Sequence, residues 1–276
     1  MTDTRKASVD LSIGIVSGSN PAYTLDCVKS VFASLTGEIS VAVIVVDNAS
    51  QSRLDLQLNR LYPEISVRRN EERKGFGANH NAIIESIDAR YYLLLNDDTL
   101  VHHGCFEQLV AAGDAHPEAG FIGPKLINGD GSHQASVFRF PSPKLALAEA
   151  LLLDKVALLD NYSRFDYSSV RFVEYLSGAA LMVRKETIEQ IGLLDEGFFM
   201  YAEECDWALR GWRAGWKSLF VPHMTVMHYG GQSTVELRPE RSVEFLRSHS
   251  RLIRKHFGAS GLALYKLLML LKHAPR

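Results

Sequence analysis

The chain has 276 residues, of which 46% are hydrophobic and 22% charged, and its formal net charge is −2. This length supports one large domain, or one domain with a tail, and the near-neutral charge argues against a nucleic-acid binder, which is usually strongly basic. The three cysteines are scattered without C-x-x-C spacing, which predicts reduced thiols in a cytosolic protein. The polar first ten residues do not resemble a secretion signal, and no apolar run approaches the roughly 18–20 residues that cross a bilayer.

The first hundred residues alternate short apolar runs with helical patterns. Strands are predicted at residues 11–17, 41–47, 64–69 and 91–95, and helices at residues 23–35 and 77–87. Leu25, Val28, Phe32 and Leu35 form the buried stripe of the first helix. This alternation predicts an α/β fold with an open, mostly parallel sheet and helices on both faces. In such sheets ligands bind beyond the carboxyl ends of the strands.

Acidic residues follow two of these strands directly. Asp47 follows the second strand, and Asn96, Asp97 and Asp98 follow the fourth. Asp47 alone is best explained as the N-cap of the next helix. The triple needs another explanation, because a cap uses one side chain and two adjacent carboxylates repel each other unless a cation neutralises them. Oxygen ligands of this kind suit Mg²⁺ or Mn²⁺.

The pattern is looser after residue 120. A hairpin with a loop is predicted at residues 121–143, an amphipathic helix at 149–160, an irregular segment at 160–172, and a strand followed by a short helix at 173–196. Glu203, Glu204 and Asp206 then mark a helix start, where the helix dipole favours each exposed acid by about 0.3–1 kcal/mol. The start of a helix is therefore an alternative explanation of this acidic cluster. A last strand is predicted to end at His228, before a glycine turn.

Seven motifs in this order resemble the family 2 inverting glycosyltransferases, which have the GT-A (Rossmann-like) fold, and more narrowly their rhamnosyltransferase branch. The resemblance covers residues 10–257. The motifs are VVDNAS (45–50), GFGANHN (75–81), LLLNDDT (93–99), GPKLINGDGS (123–132), SGAALMVRKE (177–186), FFMYAEECDWALRGWRAGW (198–216) and HYGGQS (228–233).

The resemblance implies roles on the donor side of a site. Asp47 matches the acid that holds the nucleotide's base or ribose, the loop 16–21 contacts the nucleoside, and Asn81 is the polar anchor of a segment flanking the nucleotide. Asn96-Asp97-Asp98 matches a D-x-D-like motif, in which Asp97 faces the ribose or sugar and Asp98 contacts the metal.

It also implies the residues of the reaction itself. His228 completes the metal site, and Glu203-Glu204 matches a Glu-Asp pair whose second member is the catalytic base. Glu204 departs from the commoner Asp, and the first loop, VSGSNPA, departs from the commoner Thr-x-Asn. Arg210 is expected to pair either with a phosphate of the substrate or with Glu203.

The implied enzyme transfers a sugar, rhamnose in this branch, from a dTDP- or UDP-linked donor to a glycan or lipid-linked acceptor, with Mg²⁺ or Mn²⁺ as cofactor and without nucleic acid. A glycosyltransferase domain of residues 1–240 and a basic amphipathic helical tail of residues 241–276 are predicted. The basic residues of the tail are Arg241, Arg247, Arg251, Arg254 and Lys255. Such a helix lies on an anionic membrane, here the inner face of the cell membrane, or it packs on the domain or forms a homodimer contact.

Two alternatives are open. A sugar-nucleotide pyrophosphorylase has a related nucleotide-binding fold, but begins with an Arg-containing, Gly-rich loop that residues 16–23, VSGSNPAY, lack. A degenerate GT-A fold that only binds nucleotide or partner proteins is the second, and the intact Asn-Asp-Asp, Glu-Glu and His-Tyr-Gly-Gly elements argue against it.

Overall fold

The computed structural model describes residues 8–18, 20–150, 162, 165–230 and 238–273. The strands within these ranges are β1 (Val9–Ser17), β2 (Val41–Asn48), β3 (Ser66–Asn70), β4 (Ala89–Asn96), β5 (Thr99–Val101), β6 (Ala119–Ile127), β7 (His133–Gln134), β8 (Val137–Phe138), β9 (Arg171–Val173), β10 (Tyr175–Leu176), β11 (Ala180–Arg184) and β12 (Lys217–His228). The helices are α1 (Pro21–Ser34), α2 (Leu54–Leu61), α3 (Phe76–Ile84), α4 (Cys105–Ala115), α5 (Pro143–Ala150), α6 (Lys185–Ile191), α7 (Glu203–Arg213) and α8 (Arg238–His273).

The main sheet has the strand order β3-β2-β1-β4-β11-β6-β12-β5, with β7 paired to β6 and β9 to β12. Strands β3, β2, β1 and β4 are parallel to one another, β12 is parallel to β6, and β11 joins the two groups in the antiparallel direction. This confirms the predicted α/β fold with a helix-flanked, mostly parallel sheet. In register, Ser17 pairs with Asp47 and Val16 with Asn96, so the acids that follow β2 and β4 emerge at one edge.

Local sequence explains where the core and the first helix form. Alternate residues of β1, namely Leu11, Ile13 and Ile15, are fully buried on one face of the sheet. The continuous run Tyr91–Leu95 in β4 is buried on both faces, as expected for a central strand covered by helices. Helix α1 begins at Pro21 because the side chain of Asn20 accepts a hydrogen bond from the Ala22 amide at 3.0 Å.

The second half of the chain agrees with its predictions in part. Strand β7 pairs antiparallel to β6, which confirms the predicted hairpin, and β12 ends at His228 as predicted. Helices α2 and α4 were not predicted. The predicted helix at residues 149–160 overlaps α5 only at its start, because residues 151–160 lie outside the described residues. Residues 231–233 of the last motif and the side chain of Arg241 also lie outside them.

The C-terminal helix α8 begins at Arg238, three residues before the predicted tail, and is kinked at Gly258, whose φ is 73°. Its first half packs on the domain: Leu252 and Ile253 are buried, and the Ser248 hydroxyl donates to the carbonyl of Met200 at 2.7 Å. Three alternatives were predicted for the basic tail: a membrane surface, packing on the domain or a homodimer contact. The first half of α8 packs on the domain. None of the helices in the described ranges is both long enough and apolar enough to span a membrane.

Candidate active site

A cleft of about 280 Å³ opens at the carboxyl edge of the sheet. It is lined by the ends of β1, β4 and β12, by Arg73 and Lys74, by residues 177–179, and by residues 199–204 except Ala202. Asn96, Asp97, Asp98, Glu203, Glu204 and His228 all line it. A larger groove of about 510 Å³ lies beside β2 and β3, but the residues that line it include none of the predicted site residues, so the chemistry belongs to the smaller cleft.

Asp98 and His228 form an electron-rich pair in this cleft. Asp98 is only 2% exposed, and neither of its carboxylate oxygens has a hydrogen-bond partner among the described residues. Nε2 of His228 lies 3.1 Å from Oδ1 of Asp98. A buried carboxylate without a hydrogen bond is costly unless a cation or a proton compensates it.

The hydrogen bonds around His228 assign its tautomer. The amide nitrogen of Gln134 donates to the carbonyl of His228 at 3.0 Å and to Oδ1 of Asn128 at 2.8 Å. Oε1 of Gln134 therefore faces Nδ1 of His228 at 2.7 Å. Because Oε1 can only accept, Nδ1 carries the proton. Nε2 keeps its lone pair, to which the amide of Asn96 donates at 3.2 Å.

Nε2 of His228 and the carboxylate of Asp98 lie 3.1 Å apart in the cleft, so both side chains would be ligands of a divalent cation that displaced the Asn96 amide from Nε2. No group of three His, Cys, Asp or Glu side chains suited to a metal occurs among the described residues. Mg²⁺ in particular is commonly bound by one or two protein ligands plus substrate phosphates and water. The residues present therefore fit a metal that substrate oxygens help to coordinate.

Asp97 supports the first loop. Its Oδ2 accepts hydrogen bonds from the Gly18 amide at 2.7 Å and from the Thr24 hydroxyl at 3.1 Å. The carboxylate is 3% exposed and lies in the lining of the cleft. Asp97 therefore fixes the loop after β1 against the start of α1, next to the space where a substrate would bind.

Asp47 is completely buried beneath the cleft rather than in its lining. Its carboxylate forms an ion pair with Arg69 and accepts a hydrogen bond from the Ser50 amide at 2.9 Å. The prediction that Asp47 caps the next helix is wrong, because α2 begins at Leu54 with Arg53 in the N-cap position. The carboxylate stabilises the turn after β2, and its neighbour Asn48 lines the cleft.

The structure does not bring Asn81 into the cleft lining. Its side chain is buried and bonds both the amide and the carbonyl of Leu194 at 3.0 Å, and it donates to Glu196 at 3.0 Å. Asn81 thus connects α3 to the loop before α7. It anchors two segments of the protein to each other instead of lining the predicted nucleotide site.

Arg210 also lies away from the cleft. Its guanidinium donates to Asp206 at 2.9 Å and to the carbonyls of Ile191 and Leu193. The expected pairing with Glu203 is wrong, since Asp206 is four residues before Arg210 and shares its helix face, whereas Glu203 is two turns away.

Glu203 and Glu204 enter the cleft from a strained turn. Tyr201 and Ala202, just before α7, have φ of 69° and 66°, a left-handed conformation that costs non-glycine residues of order 1–3 kcal/mol each. The half-buried side chain of Glu204 lies over Gly178, where a Cβ atom would be 3.5 Å from its Cγ. Glu203 is 4% exposed, and its Oε2 has no hydrogen-bond partner among the described residues.

Burial governs the protonation of this pair. It raises the pKa of Glu204 above the usual value of 4.5. It raises the pKa of Glu203 well above that value, with a further contribution from the charge of Glu204. Glu203 therefore holds a proton more firmly than Glu204, and Glu204 is the carboxylate that can ionise beside the open space.

Sequence reasoning missed the basic side of the cleft. Arg73 and Lys74 are exposed residues of the loop before α3 and line the cleft. Asn48 fixes this loop by accepting from the Lys74 amide and donating to the Lys74 carbonyl, both at 2.9 Å. The signal was present, because the two cations directly precede the Gly-Phe-Gly motif.

Comparisons with known proteins agree with this geometry. Residues 12–168 match the family model described as "Glycosyl transferase family 2", and residues 91–271 match "Glycosyl transferase family group 2". The chain is a family 2 glycosyltransferase. This confirms the predicted family and enzyme class, with the rhamnosyltransferase-like branch supported by the relatives that follow, and it removes the pyrophosphorylase alternative.

Relatives of this glycosyltransferase are named as rhamnosyltransferases or a hexosyltransferase. It is 30% identical over 217 residues to the N-acetylglucosaminyl-diphospho-decaprenol L-rhamnosyltransferase of Mycobacterium tuberculosis, with 73% of this chain and 70% of the relative covered. It is 26% identical over 208 residues to the low-salt glycan biosynthesis hexosyltransferase Agl10 of Haloferax volcanii, which covers 74% of this chain and 62% of that relative. Over 167 residues it is 25% identical to the rhamnosyltransferase WbbL of Escherichia coli, covering 56% and 61%.

Solved structures share the fold of this glycosyltransferase. GalNAc-T7, solved with UDP, GalNAc and Mn²⁺, has a TM-score of 0.61 at 17% identity, with 81% of this chain and 44% of that chain covered. Residues 1–349 of S. aureus TarS have a TM-score of 0.58 at 17% identity, covering 91% and 72%. At these identities the likeness supports the GT-A fold alone.

Proposed function

We propose that this family 2 glycosyltransferase transfers a hexosyl group, rhamnose in the first instance, from a dTDP- or UDP-linked donor to a hydroxyl group of a glycan or lipid-linked acceptor, with inversion at the anomeric carbon. The observation that carries the proposal is the convergence of Asp98, His228 and Glu204, distant in sequence, on one cleft. The Mycobacterium relative, whose name gives L-rhamnosyl transfer with N-acetylglucosaminyl-diphospho-decaprenol, supports the choice of substrates.

The donor side of the cleft offers both anionic and cationic groups. Asp98 and His228 would hold Mg²⁺ or Mn²⁺, which when bound stabilises the departing diphosphate as a Lewis acid. Arg73 and Lys74 line the same cleft and attract an anionic donor. Asp97 keeps the first loop in place through Gly18 and Thr24, so the nucleoside side of the cleft is preformed.

Glu204 is the proposed general base. A carboxylate with a raised pKa is a stronger base, and base assistance to an attacking hydroxyl is typically worth about 10²–10⁴-fold in rate. Glu203, which holds its proton, adds no second negative charge next to the base. One base and direct displacement give inversion, whereas retention would need a covalent intermediate or a comparable two-step route.

We also propose that the reaction takes place in the cytoplasm at the inner face of the cell membrane. The support is the lipid-diphosphate acceptor in the name of the Mycobacterium relative and the second half of α8, which exposes leucine side chains and contains no Asp or Glu. A homodimer was the remaining expectation, and it stays a prediction.

The test is turnover by the purified protein with dTDP-rhamnose and UDP-hexoses, a soluble analogue of an N-acetylglucosaminyl diphospholipid, and Mn²⁺ or Mg²⁺. Glu204→Gln should lower kcat by about 10²–10⁴-fold while nucleotide binding, read as a thermal shift, is kept. Glu186→Gln is the matched control, because Glu186 is an exposed acid in the first turn of α6.

Each outcome decides one part of the proposal. Full turnover by Glu204→Gln would contradict the assignment of Glu204 as the general base. Failure of every donor both to bind with metal and to react would contradict the transferase reaction and favour a binding-only fold.

A further inference from the structure

The second half of α8, after the kink at Gly258, carries an exposed apolar side. Leu264, Leu267 and Leu270 are 47%, 54% and 72% exposed. Their spacing of three residues puts them on one side of the helix, and we call them the apolar ridge. Leu268, in contrast, is 6% exposed and anchors this half to the protein. One side of this half of the helix therefore packs on the protein, and the side that carries the apolar ridge is exposed to solvent.

The charges of this region have one sign. Residues 245–273 contain no Asp or Glu and include six Lys or Arg residues. Arg251 and Lys255 are committed to Asp195, and Lys255 also to Asp206. Arg254, before the kink, and Lys266, next to the ridge, are exposed. An exposed apolar side on a helix whose exposed charges are cationic is the pattern of a helix that lies in the plane of an anionic membrane surface.

We propose that the second half of α8 docks on an anionic lipid bilayer, with the apolar ridge inserted between the headgroups and Lys266 and Arg254 facing lipid phosphates. A second copy of the chain fits less well. A two-fold contact would bring the same cationic surfaces together, and three partly exposed leucines offer far less area than the roughly 1,000 Å² that a stable interface buries.

The position of α8 connects this surface to the cleft. The first half of the helix is anchored at the cleft mouth by two contacts. The Ser248 hydroxyl donates to the carbonyl of Met200, and the Phe245 ring packs against Tyr201 with 5.8 Å between the ring centroids. Met200 and Tyr201 both line the cleft. A docked α8 would hold the cleft near the membrane, where a lipid-linked acceptor presents its sugar. This last connection rests on the proposed function, whereas the docking surface does not.

Vesicle flotation of the full-length protein tests the proposal, with vesicles of phosphatidylcholine alone and of phosphatidylcholine with phosphatidylglycerol. The wild type should float with the anionic vesicles and be released by salt. The double variant Leu267→Asp/Leu270→Asp should bind them about tenfold more weakly or worse. The matched control is Leu56→Asp/Leu61→Asp, since these leucines of α2 are 56% and 61% exposed on another element.

Further measurements separate the explanations. Turnover of a soluble acceptor should be equal in wild type and ridge variant, so a failed proposed function and a failed docking surface give different results. If the Asp variant does not fold, Leu267→Trp keeps an apolar side chain, and its added fluorescence should shift to the blue on anionic vesicles only.

Three results would overturn the proposal. They are a wild type that does not float with anionic vesicles, equal loss of binding in the α2 variant, and a wild-type dimer in light scattering that the ridge variant converts to monomer.

Discussion

Replacing Asp206 by Asn tests how α8 is held to α7, the helix that begins with Glu203 and Glu204. Asp206 is completely buried and accepts hydrogen bonds from Arg210 at 2.9 Å, Lys255 at 2.9 Å and His256 at 2.8 Å. Arg213 donates to Nδ1 of His256, so the imidazole is neutral and donates through Nε2. Burial alone would raise the pKa of Asp206, but these partners more than offset it and lower the pKa from 3.8 to about 2.

The size of the effect follows from this shift. At 1.36 kcal/mol per pKa unit, the folded environment favours the ionised carboxylate by about 2.5 kcal/mol. Because the folded pKa is depressed, the whole contribution is present at pH 7 and is lost as the pH falls below about 4 towards 2. Asn also leaves the part-buried Arg210 without its carboxylate, whereas Lys255 keeps Asp195. We therefore expect a loss of about 2–4 kcal/mol, or a Tm lower by about 5–12 °C in a chain of this size.

The assay is thermal unfolding of the wild type and the Asp206→Asn variant at pH 7 and at pH 3.5, where the difference should narrow. Glu189→Gln is the control, because it breaks an ion pair of the same i,i+4 spacing, with Lys185 at 3.9 Å, on the surface. Its Tm should not change measurably. An Asp206→Asn protein as stable at pH 7 as the control would refute the reasoning that this carboxylate clamps α8 to α7.

Two further predictions concern the cleft. The folded pKa of Glu203 is raised, so the wild type loses stability as the pH rises above the unfolded value of 4.5. The urea midpoint of Glu203→Gln should therefore increase relative to that of the wild type between pH 5 and pH 8. A difference between the two midpoints that does not change with pH would contradict a protonated Glu203. Gly178→Val should lower kcat by about 10²-fold because it displaces Glu204, while Tm and nucleotide binding stay unchanged. The kcat of Gly178→Ala should be near that of the wild type, since its Cβ would lie at an ordinary 3.5 Å from Glu204. Equal activities of the two variants would contradict the claim that Gly178 makes room for Glu204.

The arrangement of the sheet could be predicted from the sequence because its signals are local. Short apolar runs alternate with helical stripes, and the carboxyl ends of neighbouring parallel strands meet at one edge. That rule predicts that Asp47 and the pair Asp97 and Asp98 emerge at one edge of the sheet before any coordinates are known. The acids at the start of α7 were visible for the same reason, as a cluster in one short stretch.

The partners of individual side chains could not be predicted, because they come from distant segments. Nothing near Asp47 in sequence indicates that Arg69 neutralises it, and nothing near Asn81 points to Leu194, more than a hundred residues away. Arg73 and Lys74 lie in an exposed loop without a periodic pattern, and the one sequence signal for them is their position directly before the Gly-Phe-Gly motif. The first half of α8 carries most of its charges and the second half most of its leucines, but neither pattern indicates that Asp206, Asp195 and Met200 hold the first half to the domain.

The most direct test of the central claim is calorimetric titration of dTDP and UDP into the protein in Mn²⁺ and in a chelator, repeated on Asp98→Asn. We expect one nucleotide to bind the wild type at least about tenfold more tightly with Mn²⁺, and Asp98→Asn to lose that gain while its Tm stays close to that of the wild type. Equal affinities with and without metal in the wild type, or a metal effect that survives in Asp98→Asn, would contradict a cation held by Asp98 and His228.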